Sequence, residues 1–192
     1  MSRALMIVGT GSGAGKSLIV AAFCRIFRDM GMSVSPFKAQ NMALNSAITA
    51  DGSEIGRAQA LQAEAAGIAP TVDMNPILLK ASGEKGSQVI IQGRVHSMMK
   101  AQEYYAFKKE AWKAVKESYA RLSRAYDLIV MEGAGSPAEI NLMSVDIVNI
   151  AAAKHAKAPA LLVGDIDKGG VFASLYGTVK LLNYQVESCQ GL

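Results

Sequence analysis

Apolar residues are laid along this chain in two distinct ways. Five short runs, Ala4–Val8, Ser33–Phe37, Gln88–Gln92, Asp127–Glu132 and Ala160–Val163, are strand candidates. Several carry apolar side chains at consecutive positions, the pattern of strands covered on both faces. Between them, helical periodicity marks Lys16–Met30, Glu54–Ala66, Met99–Ala125, Ser144–Lys154 and Val171–Leu182. In the longest of these, Tyr104, Phe107, Ala111, Val115, Tyr119 and Leu122 form a core-facing stripe, with Lys109, Lys113, Lys116 and Glu117 facing water. Regular alternation of strand and helix predicts an α/β fold, a three-layer parallel sheet with helices on both faces.

The first strand runs straight into Gly9-Thr10-Gly11-Ser12-Gly13-Ala14-Gly15-Lys16-Ser17 and then a helix. Strand, glycine loop, lysine, hydroxyl and helix together bind nucleotide phosphates: backbone N–H groups and the positive helix end face the phosphate oxygens. Lys16 would reach the outer phosphates and the Ser17 hydroxyl would hold Mg2+. The strict G-x-x-x-x-G-K-S pattern would need glycine where Thr10 stands, so this is a deviant loop with one extra residue after Gly9. Two other readings compete. A plain glycine turn gives Gly-Lys-Ser at a helix start no purpose. A dinucleotide site fits Gly9, Gly11 and Ala14, but it needs an acid closing the second strand, and Lys38 stands there. The phosphate-transfer reading, a P-loop NTPase-like fold, is the one the residues favour.

In an open parallel sheet ligands bind beyond the carboxyl ends of the strands. Lys38–Ile55, Glu132–Asn141 and Gly164–Gly170 therefore join the glycine loop along one polar edge. Glu132, closing the apolar run Leu128–Met131, is placed to approach Mg2+ as a strand-terminal carboxylate. Glu54 and Asp51, at the opening of a predicted helix, are candidates for a second carboxylate. Lys38 would neutralise charge developing on a transferred phosphoryl group. Asp146, Asp165, Asp167 and Lys168 complete the edge, although Asp146 also suits a helix N-terminus. His96 and His155 have no partner pattern and read as a loop histidine and a helix-surface histidine.

A length of 192 residues suits about one domain with a sizeable core. Half-apolar composition with ordinary charge is that of a soluble globular protein. A net charge of +4 suits anionic small molecules, with no dense basic tract for nucleic acid. Cys24 and Cys189 lack metal spacing and read as thiols of a reducing cytosol. The first apolar run is too short for an export signal and no run is long enough for a membrane, so a cytoplasmic location is expected.

Thr10–Ser17 with Glu132-Gly133-Ala134-Gly135 resembles the dethiobiotin synthetase-like group of P-loop enzymes. Within it, the chain is similar to the N-terminal synthetase domain of the cobyric acid synthase family, on Phe37–Ser46, Glu54–Gln59, Asn75–Lys80, Glu132–Leu142 and Asp165–Ala173. The likeness covers residues 4–182, and Gln40-Asn41 and Glu132–Asn141 separate it from the related a,c-diamide synthases. The resemblance implies ATP-dependent amidation of carboxylates on a corrinoid, adenosylcobyrinic acid a,c-diamide, to cobyric acid during cobalamin biosynthesis. An acyl phosphate formed from ATP would be converted to the amide by ammonia from glutamine. By position, the resemblance implies that Thr10, Gly11, Ser12, Gly13, Ala14, Gly15, Lys16 and Ser17 hold ATP, and that Ser17, Glu132 and Glu54 hold Mg2+. It further implies catalytic roles for Lys16, Lys38 and Asp146, and corrinoid contacts for Gln40, Asn41, Asn45, Asp165, Asp167 and Lys168. Ammonia would come from a glutaminase domain or chain, no nucleic acid or membrane partner is implied, and a homodimer stays open.

Two departures stand out. Ala81-Ser82 replaces the family's Pro-Thr, a minor change. Residues 183–192 match none of the family's continuation into a further strand, a nucleotide segment and a glutaminase domain, and Cys189 lacks the setting of a glutaminase nucleophile. The expectation is a synthetase domain at 1–182 lacking its C-terminal strands, an unmatched tail, no glutaminase and no glutamine-dependent activity in this polypeptide. Two rivals remain: an inactive remnant, and a regulatory ATPase of the partitioning and cell-division kind. The latter carries an early loop lysine where this chain has Gly11.

Overall fold

The computed structural model describes residues 2–83 and 86–188. The chain runs β1 (Arg3–Gly9), α1 (Lys16–Asp29), β2 (Val34–Phe37), β3 (Gln40–Met42), β4 (Ser46–Ile48), β5 (Glu54–Gly56) and α2 (Arg57–Ala66). It continues through β6 (Ile77–Ala81), β7 (Ser87–Ile91), β8 (Arg94–Met99), α3 (Ala101–Ala125), β9 (Leu128–Glu132), α4 (Ile150–Ala156), β10 (Ala160–Val163) and α5 (Val171–Ser188). Short 3-10 turns lie at Val72–Met74 and Ile140–Val145.

Four of the five expected strands form one parallel sheet in the order β10-β1-β9-β2. Because side chains alternate across a strand, its apolar runs split between two layers. Met6, Val8, Ile129 and Met131 pack with Ala111, Val115, Leu122 and Ala152 of α3 and α4. Ile7, Leu128 and Val130 pack with Val20, Cys24 and Ala66 of α1 and α2. Helices thus cover both faces, the three-layer α/β arrangement expected. Burial there pushes the Cys24 thiol up to about 12. Cys189 lies outside the described residues.

The fifth expected strand, Gln88–Gln92, belongs elsewhere. It is β7 of a second, mixed sheet ordered β3-β6-β7-β8, in which β7 runs antiparallel to both neighbours. A parallel neighbour would need a long crossover, whereas β7 and β8 are joined only by Gln92-Gly93. Both residues have positive φ, 44° and 80°, the backbone of a tight hairpin turn that matches strand twist. Ile77, Leu79 and Val89 send their side chains into the layer that also holds Phe37 and Tyr104, so this sheet extends the core beyond the end of β2.

Three helix starts differ from expectation, that of α3 by only two residues, since Met99 closes β8 and the helix begins at Ala101. Glu54–Gly56 is a strand paired antiparallel with Ser46–Ile48, so α2 begins at Arg57. The helix expected from Ser144 begins at Ile150, because the Asp146 carboxylate accepts the N–H groups of Val148, Asn149 and Ala151 at 3.1–3.3 Å and restarts the chain there. Helix α3 buries the expected stripe, with Ser118 added to it and Phe107 half-buried. His96 lies on β8 rather than in a loop and stacks on Phe107, while His155 packs against Trp112 and Tyr119. Among the described residues no helix is long and apolar enough to cross a membrane.

Candidate functional site

The register of the parallel sheet decides which residues meet at its carboxyl edge. Ile7 of β1 stands opposite Glu132, and Phe37 of β2 stands opposite Met131. The next residue of β2's chain, Lys38, therefore arrives beside Glu132, and the glycine loop leaves β1 on the other side. Thr10 N–H donates to Val163 O at 2.9 Å and ties the loop to β10.

Gly13 and Gly15 take left-handed backbone conformations, φ 77° and 91°, which only glycine adopts without strain. Helix α1 has no side chain capping its start. Among the described residues, no protein acceptor meets the N–H groups of 13–17. Unpaired amides at a helix N-terminus suit an anion, so the loop fits a nucleotide's phosphates. Ser12, Gly13, Gly15, Lys16 and Ser17 line the adjoining cleft. Thr10, Gly11 and Ala14 do not, Thr10 anchoring β10 and Gly11 receiving Lys16.

The Lys16 ammonium donates to Gly11 O at 2.7 Å and to Gly135 O at 2.9 Å, bridging the loops after β1 and β9. Its path needs Gly9, where a Cβ would lie 2.9 Å from Nζ. Burial, reinforced by the charge of Lys38, holds the Lys16 ammonium below the ordinary lysine range, against the pull of Glu132 and Glu139.

Glu132 is 1% exposed, and a buried carboxylate demands partners. Its Oε1 accepts the Ser17 hydroxyl at 2.8 Å and the Lys38 ammonium at 2.6 Å. Its Oε2 accepts the side-chain amides of Gln62 at 2.5 Å and Gln59 at 3.4 Å. A hydroxyl and a carboxylate meeting below a phosphate loop are a donor set that can supply the protein's share of a Mg·nucleotide site. Among the described residues no three His, Cys, Asp or Glu side chains gather for a metal. A divalent ion here would accordingly take its other oxygens from phosphate and water, the habit of Mg2+.

The cleft encloses about 1000 Å3 and runs from the glycine loop past Lys38 and Asn41 to Tyr104 and Lys108 of α3. Gln40 faces it while accepting the Tyr104 hydroxyl at 2.6 Å. Asn41 donates its amide to Gln59 at 3.2 Å. Asp146 also lines the cleft, but its carboxylate is engaged in starting α4, the helix-terminus role. Lys108, donating to Val145 O, brings a further cation, whose proton affinity burial lowers despite Asp146 nearby.

Other expected residues lie apart. Glu54 does not line the cleft: it is ion-paired to Lys80 of β6. Burial disfavours its charge, but the bonds from Lys80 and Ser46 hold its acid below the usual range. Glu54 thus faces Lys80 of β6 and stands apart from the Ser17–Glu132 pair. Asp51 is spent on Thr49 and Ser53 of its own turn. Asn45 is exposed in the loop before β4, outside the cleft lining. Asp165 pairs with Lys168 at 3.1 Å and Asp167 is exposed. None of the three lines the cleft, yet a Cβ on Gly13 would come within 3.6 Å of Lys168 Nζ, which puts that turn against the glycine loop.

Sequence reading missed Gln59, Gln62 and Asn149. The two glutamines are three apart on α2 in a stripe otherwise made of Ala63 and Ala66, and polar residues within an apolar stripe were the available signal. Asn149 clasps Ala134 through both amide atoms, at 3.1 and 2.8 Å, and holds the loop after β9 in place. Nothing in the sequence pairs those two residues.

The model of the CobQ/CobB/MinD/ParA nucleotide binding domain family matches residues 5–188. A cobyric acid synthase of Thermodesulfovibrio yellowstonii is 58% identical over 95% of this chain and 37% of its own. One from Lachnoclostridium phytofermentans is 62% identical over 95% of this chain and 36% of its own. The chain thus spans little more than a third of the length of these relatives. Among solved structures, the cell division protein FtsY of Thermotoga maritima aligns with 96% of this chain and 49% of its own at 19% identity and TM-score 0.49. That likeness is too remote to carry any part of the assignment.

Proposed function

Because this chain belongs to the CobQ/CobB/MinD/ParA nucleotide binding domain family, we propose that it is the ATP-using part of an amide ligase of the cobyric acid synthase type, acting in cobalamin biosynthesis. The observation that carries this reading is the meeting of the Ser17 hydroxyl and the Lys38 ammonium on Glu132, at 2.8 and 2.6 Å, at the mouth of an unpaired phosphate loop. A corrinoid carboxylate, placed in the cleft beside the γ-phosphate, attacks phosphorus. The bond to the β-phosphate oxygen breaks, ADP leaves and an acyl phosphate forms. Ammonia, delivered by a glutaminase domain or chain outside residues 1–192, then attacks the acyl carbon and expels phosphate. The amides of 13–17 and Lys16 hold the phosphate tail, and Lys38 is placed to stabilise charge on the transferred group. Ser17 and Glu132 would hold Mg2+, which supplies further charge neutralisation between the phosphates.

Heating the protein with and without Mg·ATP tests the first half. At one hundred times its dissociation constant the nucleotide should add about 2.7 kcal/mol of stability, and Lys16→Ala should lose most of that gain. Phosphate release that requires the a,c-diamide corrinoid, with trapping of the acyl phosphate by hydroxylamine, tests the second. Protection by Mg·ATP without any corrinoid-dependent phosphate would leave a nucleotide-binding domain and remove the ligase.

A further inference from the structure

We propose that Gln59 and Gln62 are positioning residues that fix the rotation of the Glu132 carboxylate, so that Oε1 alone is presented to the metal. The inference rests on the Mg·ATP reading of the cradle. Both glutamines are fully buried, and their spacing of three residues puts both amides on one face of α2. Gln62 Nε2 donates to Glu132 Oε2 at 2.5 Å and to Ser17 O at 3.2 Å. One amide group thus ties the carboxylate to the first turn of α1, which carries the Ser17 hydroxyl. Gln59 Nε2 adds a longer bond to the same Oε2 and another to Gln62 Oε1 at 3.5 Å.

The orientation of the Gln59 amide is fixed from outside. Its oxygen accepts the Asn41 amide at 3.2 Å, so its nitrogen must face Glu132. No side chain fits at Gly56, where a Cβ would stand 2.5 Å from Gln59 Oε1, and the Gly56 N–H is itself held by Asn75 at 3.0 Å. Oε2 is therefore occupied by neutral donors that a cation does not displace. Oε1 faces the Ser17 hydroxyl and the long Lys38 side chain, groups that can yield to a metal. A carboxylate free to rotate would present either oxygen and lose the register with Ser17.

Outer partners of this kind set metal affinity more than nucleotide affinity, and that separates positioning from mere packing. The measurement is the Mg2+ midpoint of thermal protection at saturating ATP, beside ATP binding in EDTA. Gln62→Leu should raise the Mg2+ midpoint by about 10- to 100-fold, and Gln59→Leu by less, with ATP binding in EDTA unchanged. Adding Gln62→Leu to Glu132→Ala should raise it no further, because the effect passes through that carboxylate. A folded Gln62→Leu with the wild-type Mg2+ midpoint overturns the proposal. If that variant does not fold, Gln62→Met and Gln59→Leu take its place: a raised midpoint supports the proposal and an unchanged one overturns it. A wild-type protein that ATP protects equally with and without Mg2+ overturns the metal reading of the cradle itself, and this inference with it.

Discussion

Lys16 is the side chain whose behaviour its surroundings change most usefully. Burial and the nearby Lys38 charge make its ammonium give up a proton more readily than a free lysine, whose ordinary value is 10.5. Only the protonated form attracts phosphate. Nucleotide affinity should therefore fall as pH rises, starting below the ordinary lysine range, at a limiting slope of about tenfold per pH unit. The nucleotide-free protein should respond with the opposite sign. Over the same window the unfolded chain binds the extra proton, so stability rises with pH. Calorimetric titration of ATP into wild type and Lys16→Arg checks this, and a sloping Arg variant would remove Lys16 as the titrating group. At this scale the sequence was legible wherever a charged residue closes an apolar run at the edge of the cleft, as Lys38 and Glu132 do. It was opaque for Glu54, whose partner Lys80 comes from a distant strand: local sequence favoured a helix start, and the salt bridge belongs to tertiary structure.

Among the elements, α4 depends on a single carboxylate. Asp146 accepts three backbone N–H groups ahead of or within its first turn. Asp146→Ala should cost about 1–2 kcal/mol in urea denaturation, and Asp146→Asn should recover part of that loss. A variant as stable as wild type would show that the start of α4 does not rely on that carboxylate. The buried parallel strands could be read because continuous apolar runs have few other uses. Strands β3, β4 and β5 could not, being three residues each and rich in Gln, Asn, Ser and Glu. What makes them strands is pairing, with β6 or with each other, and three residues leave no measurable period. Strand β6 was hidden for a different reason: its apolar run follows Asn75-Pro76, which reads as a turn.

At the scale of the whole molecule, two buried apolar layers pack against the faces of β1 and β9. Ile129→Ala, at a fully buried position, should cost roughly 2–5 kcal/mol, and its urea midpoint should fall without a change in slope. A loss under about 1 kcal/mol would mean that the core there collapses around the cavity. That same sheet sets where the chemistry stands. Ile7 faces Glu132 and Phe37 faces Met131 along a hydrogen-bonded ladder, so counted residues bring the acid and Lys38 within reach of their ion pair. Strand length is thus a ruler. Exchanges of one apolar residue for another along β1, β2 or β9 preserve its markings, whereas inserting or deleting one residue turns every later side chain to the opposite face and parts the two charges. Evolution of this domain is accordingly free to respell those strands but not to lengthen them.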